Sequence, residues 1–94
     1  MKPRMLVVED ENAIRLALKG LLTREGYEVD LAVHGQAALE QLGVQSYDLV
    51  LTDLALGHGP SGMDVLKRVK ELRPETAVVM ITAHGSEKIA VEAM

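Results

Sequence analysis

Met5-Leu6-Val7-Val8-Glu9-Asp10 is a run of four apolar residues stopped by two acids. Leu49-Val50-Leu51-Thr52 stops in the same way at Asp53, and Ala77-Val78-Val79-Met80-Ile81 stops at Thr82. Short apolar runs bounded by turn signals read as buried parallel strands. In an open parallel sheet, ligands bind outside the carboxyl ends of the strands. Three carboxylates and a hydroxyl therefore gather at one rim, a set that suits a divalent cation and a phosphoryl group.

Between these runs the period changes to that of a helix. Asp10 or Asn12 can cap a helix whose apolar positions are Ile14, Ala17, Leu18, Leu21 and Leu22, and Gly26 closes it. A weaker strand follows over residues 28–32, then a short helix over residues 35–42 with Ala37, Ala38, Leu39 and Leu42 as its stripe, stopped at Gly43. The third strand spans about residues 47–52. A loop rich in Gly and Pro covers residues 57–62, and the next helix turns Met63, Leu66, Val69 and Leu72 inward and ends before Pro74. After the fourth strand, Ser86 can cap a last helix carrying Ile89, Ala90, Ala93 and Met94. This alternation of strand and helix predicts a parallel sheet with right-handed crossovers. The last helix has barely two turns when the sequence stops, so the chain reads as cut short.

Ninety-four residues allow one small domain. Phe and Trp are absent and only Tyr27 and Tyr47 are aromatic, so the core must be aliphatic. The net charge is −4 with scattered Lys and Arg, which argues against direct nucleic-acid binding. There is no cysteine, hence no disulfide and no thiolate metal site. No apolar stretch approaches the roughly 20 residues needed to cross a bilayer, and a signal-peptide core is missing. These features point to a cytoplasmic chain with no membrane partner.

Glu9, Asp10 and Asp53 bring up to three negative charges together. At about 4 Å each like-charge pair costs roughly 4 kcal/mol at an effective dielectric of 20. Mg²⁺, or Mn²⁺, offsets that cost, because it takes hard oxygen ligands from one or two carboxylates and keeps waters that a phosphate can displace. The simpler reading makes the acids helix N-caps and dipole partners, which serves for Asp10 alone but less well for acids at separate strand ends. His84 beside Gly85 reads as a solvated loop residue, His34 and His58 have less claim still because neither sits at a strand end with partners, and the methionines read as core fillers. The glycines of residues 57–62 lack the spacing and the lysine of a P-loop.

Together these residues resemble the receiver domain of two-component response regulators. The resemblance runs over all 94 residues and rests on an ordered set: the apolar run ending in Glu9-Asp10, Asp48-Leu49-Val50-Leu51-Thr52-Asp53-Leu54, Gly62-Met63-Asp64, and Met80-Ile81-Thr82-Ala83. It implies a flavodoxin-like doubly wound α/β fold with strand order 2-1-3-4. Residues 1–94 would then form a receiver domain incomplete at its C-terminus, since the family's fifth strand and fifth helix, with its phosphate-pairing lysine, fall beyond Met94. By the same resemblance Asp53 is the phosphoacceptor for a sensor histidine kinase. Glu9, Asp10, Asp53 and the backbone carbonyl of Ala55 would hold Mg²⁺. Thr82 would bond a phosphoryl oxygen, with the backbone N–H of Ala83 assisting. The modification would switch an output domain or partner, and the resemblance also allows a homodimer. Such a chain catalyses only its own phosphorylation and dephosphorylation and is not a turnover enzyme.

The sequence departs from that family in the loop after Asp53. Gly57 stands where receivers usually carry proline, and Gly62 comes one residue later than the usual glycine. Two alternatives stand beside the phosphorylatable switch. One is a pseudo-receiver that takes no phosphate and serves as a docking or dimerisation module. The other is a small phosphohydrolase, which would want a second Asp where Ala55 stands.

Overall fold

A computed structural model of the chain describes the backbone of residues 2–84 and 87–93 and the side chains of residues 2–82. Its inner strand β1 (Arg4–Val8) has residues 5–8 all buried, as a strand covered on both faces requires. β1 pairs in parallel with β2 (Glu28–Ala32) on one side and with β3 (Leu49–Asp53) on the other. β3 pairs in parallel with β4 (Ala77–His84), giving the order β2-β1-β3-β4 that the sequence leads one to expect. Helices α1 (Asn12–Arg24), α2 (Gly35–Val44) and α3 (Gly62–Leu72) make the connections.

Period-two alternation along the strands divides the core into two layers. Leu6, Val8, Val50 and Val78 face α2 and α3, where they pack with Ala38, Leu42, Leu56, Val65 and Val69. Met5, Val7, Leu51 and Ile81 face α1, where Leu18 and Leu22 cover them only in part. No residue of α1 is buried, whereas α2 and α3 each bury several.

Several local expectations need correction. The residue before α1 is Glu11, not Asp10 or Asn12, and its side chain makes no cap bond. Asn12 is instead the first helical residue, and its Oδ1 accepts a bond from Arg15. α2 continues through Gly43 to Val44, because Gly43 has open space around it and helical bonding runs on to the Gln45 N–H. The inward stripe of α3 is Val65 and Val69 with Leu66 beside them, while Met63 and Leu72 stay exposed. A capping box between Ser61 and Asp64 sets the rotation of this helix.

The largest difference lies after β4. Glu87–Ala93, assigned to a helix by its spacing, forms a strand β5 that runs antiparallel to β4 and pairs residue for residue from Val78–Ala93 to His84–Glu87. Ile89, Val91 and Ala93 also alternate at period two, and the edge of β4 offers a row of N–H and C=O groups that need partners. Pairing at that edge outweighs a two-turn helix, which is marginal by itself. The expected cap at Ser86 and Met94 of the expected stripe lie outside the described residues. Being antiparallel and built from residues 87–93, β5 is distinct from the parallel fifth strand that the resemblance puts beyond the chain's last residue.

Candidate functional site

The carboxyl ends of β1 and β3 lie side by side because the two strands pair in register, Val8 opposite Thr52. The next residue on each strand is an acid, so Glu9 and Asp53 meet at the rim. Carboxylate oxygens of Glu9, Asp10 and Asp53 all lie within 4.8 Å of one another. Glu9 is fully buried and Asp53 is 5% exposed, while Asp10 reaches solvent. At that spacing each ionised pair repels by about 3–4 kcal/mol at an effective dielectric near 20.

Backbone groups hold the acids in place. Glu9 extends the ladder by donating its N–H to the Ala32 carbonyl (3.1 Å), and its Oε2 accepts the Glu11 N–H (3.0 Å). Asp53 Oδ1 accepts the N–H of Ala55 at 3.1 Å, which fixes the carboxyl group's rotation and keeps Ala55 at the exposed rim. The β3–α3 loop is pressed close to the site. Gly62 packs so tightly on the Asp53 carbonyl that a Cβ there would collide with it, and Gly57, at φ +70°, lies beside the Asp10 carboxylate. Only glycine takes that backbone angle readily.

Thr82 lies on the neighbouring strand. Asp53 pairs with Ile81, the Leu54 N–H bonds the Ile81 carbonyl (2.9 Å), and half-buried Thr82 is the next residue along β4. The strand does not end there: Thr82 and Ala83 continue in register with Ile89 and Lys88. The side chain of His84 is outside the described residues. His58 lies exposed in the loop, and His34 has a structural role, its Nδ1 accepting the Ala37 N–H (3.0 Å) as the cap of α2.

The donor set is one of hard carboxylate oxygens in a chain without cysteine, which fits Mg²⁺ or Mn²⁺. Arg15 is the residue that sequence reading missed. Its guanidinium donates from one nitrogen to the Glu9 carbonyl (2.9 Å) and from the other to Asn12 Oδ1 (2.7 Å). The signal was available, because helical side chains lean toward the N-terminus and Arg15 lies one turn into α1.

Comparison with known proteins identifies the family of the fold. Residues 5–94 match the family model described as the response regulator receiver domain. The chain is 49% identical over 80 residues to the transcriptional regulatory protein DltR of Streptococcus agalactiae, a match covering 85% of this chain and 35% of that protein. It is 43% identical over 93 residues to the transcriptional regulatory protein CutR of Streptomyces coelicolor, covering 97% of this chain and 42% of CutR. The crystal structure of the response regulator TrrA from Thermotoga maritima, in complex with Mg²⁺ and BeF, superposes with a TM-score of 0.81 at 39% identity, over 90% of this chain and 72% of that one. The chain belongs to the response regulator receiver domain family. It spans less than half the length of the two transcriptional regulators.

Proposed function

We propose that this domain is the phosphoacceptor of a two-component relay, with Asp53 as the residue modified. An Asp53 oxygen attacks the phosphorus of a kinase phosphohistidine or a small phosphate donor. For phosphohistidine the P–N bond breaks, its electron pair stays on the imidazole, which takes up a proton, and an aspartyl phosphate forms. Glu9, Asp10, Asp53 and the carbonyl of Ala55 would hold Mg²⁺, which when bound neutralises charge on the transferring group. The Ala55 N–H orients the attacking carboxylate. Thr82 and the Ala83 N–H are the donors assigned to the phosphoryl oxygens. The product adds nearly two negative charges and three strong acceptors, enough to bias the loop and strand around it.

The observation that carries this reading is the convergence of three carboxylates within 4.8 Å, two of them buried, at adjoining strand ends. The partners proposed are a sensor histidine kinase, an output domain or downstream effector, and a second copy of the chain in a homodimer, all in the cytoplasm. The transcriptional role of its relatives favours a transcriptional output. Incubation with Mg²⁺ and acetyl phosphate should add the mass of one phosphoryl group, and Asp53→Asn should abolish it. A chain that keeps its mass and its spectrum with acetyl phosphate and with beryllofluoride would be a docking module instead.

A further inference from the structure

Arg15 touches three of the four residues that follow β1, from Glu9 to Asn12. Its side chain bonds the Glu9 carbonyl and Asn12 Oδ1, and its own N–H bonds the Glu11 carbonyl (2.9 Å). This turn presents Glu9 and Asp10. The Glu11 N–H on Glu9 Oε2 closes the turn on itself, but α1 beyond it buries none of its residues, so Arg15 is the side chain that ties the turn to the helix. A planar guanidinium with two diverging donors can bridge a carbonyl and an amide oxygen at once.

We propose that Arg15 is a positioning residue for divalent-cation binding. By fixing the Glu9 carbonyl relative to α1, it sets the direction in which the Glu9 and Asp10 carboxylates leave the turn. Mg²⁺ demands near-ideal octahedral geometry, whereas Ca²⁺ accepts looser and larger shells. A rigid turn therefore favours the smaller ion, and a loosened one loses both affinity and preference. The inference rests on the acidic cluster being the cation site proposed above.

The test uses the full chain and Mn²⁺ alone, followed by water-proton relaxation at a temperature where every variant is folded, with Mg²⁺ and Ca²⁺ as competitors. Arg15→Met keeps the aliphatic stem and removes the donors. It should weaken Mn²⁺ on the order of 10-fold, the usual effect of losing an outer-shell partner, and lower the ratio of Mg²⁺ to Ca²⁺ affinity. General loss of stability does not move that ratio. Arg15→Lys, able to reach one acceptor but not both, should recover part of the loss. If the wild type binds Mn²⁺, Asp53→Asn weakens it, and Arg15→Met matches the wild type in affinity and ratio, the positioning role is overturned alone. If wild-type binding is absent or indifferent to Asp53→Asn, the site reading falls and this role falls with it. Should Arg15→Met not fold, Arg15→Lys and Asn12→Ala decide the matter, and unchanged affinity and ratio in both would overturn the proposal.

Discussion

Gly62 donates its N–H to the Leu54 carbonyl at 3.0 Å and lies with its α-carbon against the Asp53 carbonyl, so the start of α3 is seated directly on one of the three clustered acids. A Cβ at Gly62 would lie 2.8 Å from Leu54 Cα and closer still to the Asp53 oxygen, all of it backbone that cannot swing aside. Gly62→Ala should therefore cost about 1–3 kcal/mol by overpacking and displace Asp53. Gly20, in the middle of α1 with open space around it, is the control. Gly20→Ala should stabilise by about 0.5–1 kcal/mol. Urea titrations of both variants check the signs, and equal effects would refute the packing argument.

The Tyr47 hydroxyl is buried and donates to Asp30 Oδ2 at 2.8 Å, and burial followed by the Asp30 carboxylate pushes its pKa well above the ordinary tyrosine value. The native state thus keeps a proton that the unfolded chain releases near pH 10. Stability from this group is fully present below that pH and is lost above it, at up to about 1.4 kcal/mol per pH unit. Denaturation between pH 9 and 11 should show that decline, and Tyr47→Phe should flatten it (the pH limits are about one unit either side of the tyrosine reference).

Removing a charge from the acidic cluster should strengthen the metal-free fold. Asp10→Asn keeps the side-chain shape and relieves repulsion from Glu9 and Asp53, a gain of about 1–3 kcal/mol by Coulomb's law near the surface. If the cluster holds Mg²⁺ as proposed, the same change should shrink the stabilisation gained by mass action when Mg²⁺ is added. Melting curves with and without Mg²⁺ read both effects, and a less stable metal-free Asp10→Asn would contradict the account of the cluster.

At the head of α3 the Ser61 N–H and hydroxyl bond the Asp64 carboxylate, holding its pKa below the usual carboxylate range, with the backbone bond the larger cause. Stability from this pair is present above that range and fades as pH falls through the lowered value. Ser61→Ala removes the hydroxyl but leaves the backbone donor. Asp64 should then titrate nearer its ordinary value, and carbon-detected NMR of the side-chain carboxyl follows the change directly.

The ends of β1 and β3 were readable from sequence because each apolar run stops on a polar residue, whereas β4 runs past Thr82 to His84; adjacency of Glu9 and Asp53 follows once β1 and β3 are neighbours. Residues 87–93 were not. Ile89, Ala90 and Ala93 satisfy a helical period while Ile89, Val91 and Ala93 satisfy a strand's, and the choice is made by an open edge on β4 that no local window contains. The fit of Gly35 against Pro60 was hidden for a related reason: it depends on two segments meeting in space, and neither partner announces the other in the sequence.

The uneven packing of the two faces sets an order of motion. α2 and α3 are anchored by fully buried side chains, while α1 rests on its neighbours with every residue at least partly wet. Amide hydrogens in α1 should exchange with solvent through small local openings, long before those of β1 and β3 are released. The acidic turn is thus fastened to a rigid strand at one end and to the most easily lifted helix at the other.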